Sequence, residues 1–206
     1  MLEPDLIATP MLSSSKKAIG QYEKPLIDSL TRHLSRHGYN GFPHVRLNVA
    51  WSPIVSDIDL LAVRQREITI IEVKSSHDKF ARASSQLRRV SDFTDFAYIA
   101  TDRVPATRHS DPQIGLLLVK GDQVETLVEA RVFEGRPQQD SLFKLQKKCL
   151  RRLAMARDDQ MSKFEMSKTV HASWNGESLR ECVKRIVICD RNCERSCPIR
   201  SFTEVT

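Results

Sequence analysis

The chain has 206 residues, 40% of them hydrophobic, which is enough for the core of one domain with a small appendage and excludes a disordered chain. No run of about 18 apolar residues occurs, and the start, MLEPDLIATPMLSSS, lacks the basic-then-apolar pattern of a signal peptide, so a membrane span is excluded and the protein reads as cytoplasmic. The formal charge of +6 is clustered in KLQKKCLRR (Lys144 to Arg152), at Arg88 and Arg89, and in RECVKRIVICDRNCERSCPIR (Arg180 to Arg200), a distribution open to two readings: a solvated basic surface, or a polyanionic partner such as DNA or RNA.

In chain order, residues 1–17 carry two prolines and a serine run and read as a loose arm. From Ile19 to His37, Tyr22, Leu26, Leu30 and Leu34 recur every fourth residue with Ile27 beside them, which predicts an amphipathic helix stopped by Gly38. HVRLNVAW (His44 to Trp51), DIDLLAV (Asp57 to Val63) and ITIIEVK (Ile68 to Lys74) predict three neighbouring antiparallel strands, the last two joined by the polar turn RQRE. Their nearly continuous apolar runs imply cover on both sheet faces. Asp78 to Phe96 reads as a helix and Ala97 to Thr101 as a strand, which makes a βαβ unit with a parallel pair.

After the loop DRVPATRHSDPQ, the run IGLLLVKGDQVETLVEA predicts a hairpin turning at Gly121 and Asp122. A long helix is expected from Gln139 to Asp158, with Leu142, Leu145, Cys149, Leu150 and Leu153 on its apolar side. The segment 159–176 is weakly patterned and reads as loop, and a last helix is expected from Glu177 to about Ile188. The implied division is an arm over 1–17, a core over 18–135 and a basic, cysteine-rich helical extension over 136–206.

The chemistry concentrates in residues 56–76, SDIDLLAVRQREITIIEVKSS. Carboxylates inside apolar strands are costly unless paired, hydrogen-bonded or bound to a metal. Period-2 alternation puts Asp57 and Asp59 on one strand face and Glu72 and Lys74 on one face of the next, and a hairpin centred near Arg66 brings Asp59 opposite Glu72. Two such carboxylates make a hard oxygen site suited to Mg2+ or Mn2+ with waters retained and phosphate completing the shell, while Lys74 positions the nucleophile or screens the phosphate. A salt bridge of Lys74 with an aspartate is the competing reading.

The same residues resemble the PD-(D/E)XK nuclease superfamily: an aspartate heading DLLAV and, thirteen positions on, the glutamate of EVK ending the next strand. Within it the chain is similar to Holliday-junction resolvases, small restriction-endonuclease-like proteins and RecB-like exonucleases, over Ile19 to about Ala130. The resemblance implies an α/β, restriction-endonuclease-like core with a central mixed sheet flanked by helices, and Mg2+-dependent hydrolysis of phosphodiester bonds, in DNA rather than RNA. It makes Asp59 and Glu72 the metal ligands and Lys74 the motif lysine, with Asp57 as auxiliary ligand. Glu23, on the first helix, sits where many members carry a further acidic residue, and Gln86 stands where RecB-like members have Gln-x-x-x-Tyr, with Val90 at the tyrosine position. Ser75 and Ser76 are candidate phosphate contacts or plain turn residues. Lys147, Lys148, Arg151, Arg152, Arg88 and Arg89 are the candidate backbone contacts. Junction-cutting members tend to be dimers, so a homodimer or a larger nucleic-acid-processing complex is implied.

Four of the five cysteines, Cys182, Cys189, Cys193 and Cys197, fall in the last quarter. In an unbroken helix Cys189 and Cys197 would stand about 12 Å apart along the axis, so a shared metal centre requires the helix to end near residues 190–192. The cysteines equally form a stripe of modest hydrophobes at helical spacing. The pattern resembles the C-terminal part of iron–sulfur nucleases of the RecB-like group, including CRISPR-associated adaptation exonucleases. That likeness implies an iron–sulfur cluster with Cys182 or Cys149 as fourth ligand; zinc, with His171 in place of a cysteine, and no metal are the alternatives. The sequence thus reads as a metal-dependent nuclease, with a non-cleaving nucleic-acid-binding or adaptor module of the same fold as the rival.

Overall fold

The apolar runs become six strands of one mixed sheet in a computed structural model that describes residues 20–47, 49, 57–75, 81–104, 111–155 and 161–188. The expected arm lies outside those residues. Helix α1 spans Glu23–Arg36, starting four residues later than the periodicity predicts. Pro25 fits its first turn, where an amide hydrogen has no partner to lose. At the other end Gly38, with φ of +78°, lets the chain reverse while His37 N–H donates to the Leu34 carbonyl at 3.0 Å.

Strand β1 is Asn40–Arg46, β2 Asp57–Arg64 and β3 Glu67–Lys74. Both junctions are antiparallel, as expected, but β1 begins earlier than the predicted His44, and its continuation touches the sheet's cover through a bridge from Val49 to Leu145. Helix α2 (Ala81–Arg88) and a 3-10 turn at Ser91–Phe93 lead into β4 (Phe96–Thr101), which pairs in parallel with β3. Strand β5 (Gly115–Lys120) is parallel to β4 and turns at Gly121 into antiparallel β6 (Gln123–Val128). The strand order follows the chain, β1 through β6. This is an α/β architecture, a six-stranded mixed sheet flanked by helices, consistent with the expected restriction-endonuclease-like core.

The two sheet faces bury different partners. Leu26, Ile27, Leu30 and Leu34 of α1 pack on Leu60, Ala62, Ile71 and Val73. Ile68, Ile70, Ala97 and Ile99 face a larger core that takes in Ala83 and Leu87 of α2 and the apolar sides of the remaining helices. Each fully buried Leu or Ile there contributes about 1.5–3 kcal/mol, so both faces are held strongly.

The C-terminal helices correct two expectations. The helix predicted over Gln139 to Asp158 is two helices, α3 (Gln139–Lys144) and α4 (Lys147–Leu153), because Leu145 and Gln146 are extended, at ψ of 155° and 143°, and Leu145 bridges to Val49. The segment read as loop contains α5 (Lys163–Ser173), started by a capping box in which Ser162 and Glu165 satisfy each other's backbone amides. Helix α6 (Gly176–Val187) follows the prediction closely, with the Asn175 side chain accepting from Glu177 N–H at 2.9 Å.

Helix α6 is stapled to the amino end of the parallel strands. Lys184, 3% exposed, donates to Asp95 at 2.7 Å and Glu181 at 2.6 Å. Asp95 also accepts from Ile68 N–H at 2.7 Å, and Arg180 donates to the Ser91 and Thr94 carbonyls at 3.1 and 2.5 Å. Burial lowers the pKa of Arg180, with the nearby carboxylates opposing that shift. Every charge in this knot has a partner.

Candidate active site at the carboxyl end of the parallel strands

The β2–β3 ladder runs from Arg64 opposite Glu67 to Leu60 opposite Ile71, and Asp59 and Glu72 come next on their strands, in the order the hairpin argument expects. The ladder ends there. The Asp59 carboxylate, 2% exposed, takes the place of a strand carbonyl there, accepting from Val73 N–H at 3.0 Å. On β3, Glu72 and Lys74 alternate with Ile71 and Val73, so they follow Ile68 and Ile70 to the larger-core face. Lys74 donates to Glu72 at 2.6 Å, with both side chains largely buried. The competing reading of Lys74 as half of a salt bridge is therefore realised with Glu72, not with an aspartate.

Strand β2 changes face at Asp59. Ile58 packs in the larger core and Leu60 in the smaller, although strict alternation would put both on one side. Asp57 consequently does not join Asp59: it is paired across the ribbon with Arg46 at 3.0 Å. Glu23 is not brought to the site face either. Its helix lies on the Ile71 and Val73 side, and its carboxylate accepts from Gly20 N–H at 3.2 Å, closing the helix start.

Gln86 fares differently, because α2 packs through Ala83 and Leu87 on the face that carries Glu72 and Lys74. Its Oε1 is buried and has no hydrogen-bond partner among the described residues. Ser75 is buried beside Lys74, and Ser76 lies outside the described residues. Sequence reasoning missed His44, which is buried in β1 at 7% exposure with φ of +48°, and whose two ring nitrogens both lack a partner among the described residues. A buried polar atom left unsatisfied costs about 1–3 kcal/mol and a left-handed non-glycine backbone about as much again. No periodicity encodes either feature.

Of the basic candidates, Arg88 is committed within the fold: it bonds Asp111 and Gln113, the latter at 2.7 Å, and lies over the Phe133 ring. Lys147 and Arg151 are exposed on α4, and Lys148 and Arg152 are half-buried, while Cys149, Leu150 and Leu153 anchor the helix in the larger core. Arg89 is exposed. Cys149 and Cys182 are buried in that core, and His171 is half-buried in α5. Cys189, Cys193 and Cys197 lie outside the described residues.

By donor type, two carboxylates from adjoining strands are what a hard cation such as Mg2+ would take from a protein, the rest of its shell being water and phosphate. No three His, Cys, Asp or Glu side chains among the described residues converge as a closed metal site would require. The location also suits ligand binding: β3, β4 and β5 are parallel, with Lys74 beside Thr101 and Thr101 beside Leu118, and ligands of open α/β sheets gather outside such carboxyl ends. A separate cavity of about 460 Å3, lined by His33, Tyr39, Glu67 and Tyr98, lies on the α1 face near the other end of β3.

No protein-family model matches the chain, and no curated protein does. Among solved structures, a protein of unknown function from Silicibacter pomeroyi is similar at 22% identity and a TM-score of 0.46, with 70% of this chain and 97% of that chain covered. That likeness adds nothing about activity. Among the described residues, no helix is long and apolar enough to cross a membrane.

Proposed function

We propose that this chain is a metal-dependent nuclease of PD-(D/E)XK type that hydrolyses phosphodiester bonds, in DNA rather than RNA. The observation that supports the reading most is the register whose last pair, Leu60 with Ile71, puts Asp59 and Glu72 next along their strands, with Lys74 two residues on, where the β2–β3 ladder opens. Asp59 and Glu72 would hold Mg2+ or Mn2+. When bound, such an ion supplies Lewis acidity toward the phosphate and its attacking water. Glu72 holds the Lys74 ammonium at the strand end, where it can stabilise charge developing on phosphorus. Gln86 presents an unanswered carbonyl oxygen from α2, suited to accept from water or from a base. The exposed Lys147 and Arg151 offer contacts to the nucleic-acid backbone that carry no sequence information.

The test is cleavage of end-labelled single- and double-stranded DNA with Mg2+, Mn2+ or chelator. Wild type should cut only with the divalent ion, and Glu72→Gln should lose at least about 100-fold in rate, as expected for a group acting on transition-state charge. Divalent-dependent DNA binding without any cutting would favour the non-cleaving module instead.

A further inference from the structure

The β1–β2 register pairs Pro43 with Leu60 and Val45 with Ile58, which leaves His44 across from Asp59. At that one step three things coincide. The β2 strand changes face, the ladder to β3 ends, and the opposing residue is a strained imidazole with no partner among the described residues. A histidine kept only for packing would have a bond on at least one ring nitrogen.

Its missing partner has a definable chemistry. Two carboxylates already supply a Mg2+ site with its usual protein ligands, and no third donor converges on them among the described residues, so the ring is not placed as a ligand. The other component of the proposed site is an anion whose several non-bridging oxygens need more N–H donors than Lys74 supplies, since part of its ammonium is turned to Glu72. A neutral imidazole carries one N–H, and a desolvated donor interacts more strongly with charge than one in water.

We propose that His44 is a substrate-contacting residue that donates its ring N–H to a non-bridging oxygen of the phosphodiester bound at Asp59, Glu72 and Lys74. The inference rests on the nuclease reading and deepens it, by giving the site a dedicated phosphate donor from β1.

The experiment uses the full chain with 15N-labelled histidine, His44 being assigned by the resonance missing in His44→Leu. Mg2+ is added first, then a dithymidine phosphorothioate, and thermal melts and cleavage rates are recorded for wild type, His44→Leu and His44→Gln. The His44 ring signal should move with the dinucleotide and not with Mg2+ alone. His44→Leu should lower kcat about 10–100-fold, the scale of one hydrogen bond to a charged group, with a Tm equal to or above wild type, and His44→Gln, which keeps an N–H donor, should recover part of the loss. Movement on Mg2+ alone, no movement with the dinucleotide, or unchanged kcat in His44→Leu overturns the proposal. A silent His44 in a wild type that cuts DNA removes this contact and leaves the nuclease reading standing. A responsive His44 in a wild type that does not cut supports the contact and removes the nuclease reading.

Discussion

Two buried lysines occupy opposite ends of the same parallel strands. Lys184 at the amino end sits between Asp95 and Glu181, and Asp95 is further fixed by Ile68 N–H. Lys74 at the carboxyl end has Glu72, and on the neighbouring elements are an aspartate filling in for a missing strand carbonyl on β2, a strained histidine on β1 and a buried glutamine oxygen on α2, the last two with polar atoms that find no partner among the described residues. A charge buried for stability is surrounded until its hydrogen-bonding capacity is used. A site meant for a ligand keeps capacity in reserve, and local rules of folding are broken there first.

The sharpest way to break this comparison is to treat both lysines alike. Lys184→Ala should cost about 3 kcal/mol in urea unfolding, since it leaves the largely buried Asp95 carboxylate without its cation, and any activity measured under native conditions should be unaffected in the fraction that stays folded. The second test replaces the other pair: Glu72→Leu with Lys74→Met should be neutral or stabilising, by up to about 4 kcal/mol, while cleavage disappears. A large destabilisation by that double change would make the carboxyl-end pair a staple like its counterpart.

Smaller effects calibrate the scale. Ser162→Ala removes one half of the α5 capping box and should cost about 1 kcal/mol, read by the same unfolding curves, with no change in cleavage because the cap is local. The smallest effect concerns pH. Burial first, then the charges of His37 and Arg36, hold the His33 pKa below its ordinary 6.5. The unfolded chain therefore binds the proton more readily, so this contribution to stability is full above about pH 6.5 and is lost as pH falls through the lower folded value. His33→Gln should flatten the dependence of Tm on pH between about 7 and 5.

Elements whose signals are local were legible in the sequence. The turn at Arg66 sets the β2–β3 register, Gly121 and Asp122 set the last hairpin, and the fourfold recurrence of Leu26, Leu30 and Leu34 sets α1. What depends on distant contacts was not. Nothing between Gln139 and Asp158 breaks a helix by itself; the break at Leu145 is made by its bridge to Val49, almost a hundred positions away. Helix α5 escaped notice because Met166, Ser167 and Val170 are its buried residues, too sparse a stripe to register, although Ser162 and Glu165 were a readable capping signal.

The site divides the same way. Motif spacing pointed to Asp59, Glu72 and Lys74, which the fold brings to one end of the sheet, whereas it placed Asp57 and Glu23 with them by assuming regular alternation and a helix on the site face. The change of face at Asp59 and the packing of α1 on Ile71 and Val73 undo both assumptions. His44 was invisible for a simpler reason, since its interest lies in a backbone angle and in bonds it does not make.

The most direct measurement is a Mn2+ titration of the full chain followed by electron paramagnetic resonance, comparing wild type with Asp59→Asn. Asparagine keeps an oxygen to accept from Val73 N–H, so the ladder end and the Tm should survive. The account predicts that wild type binds the ion and that the variant binds it at least about tenfold more weakly, for want of one charged ligand. Equal affinity in the two proteins, or no binding by wild type, would contradict it.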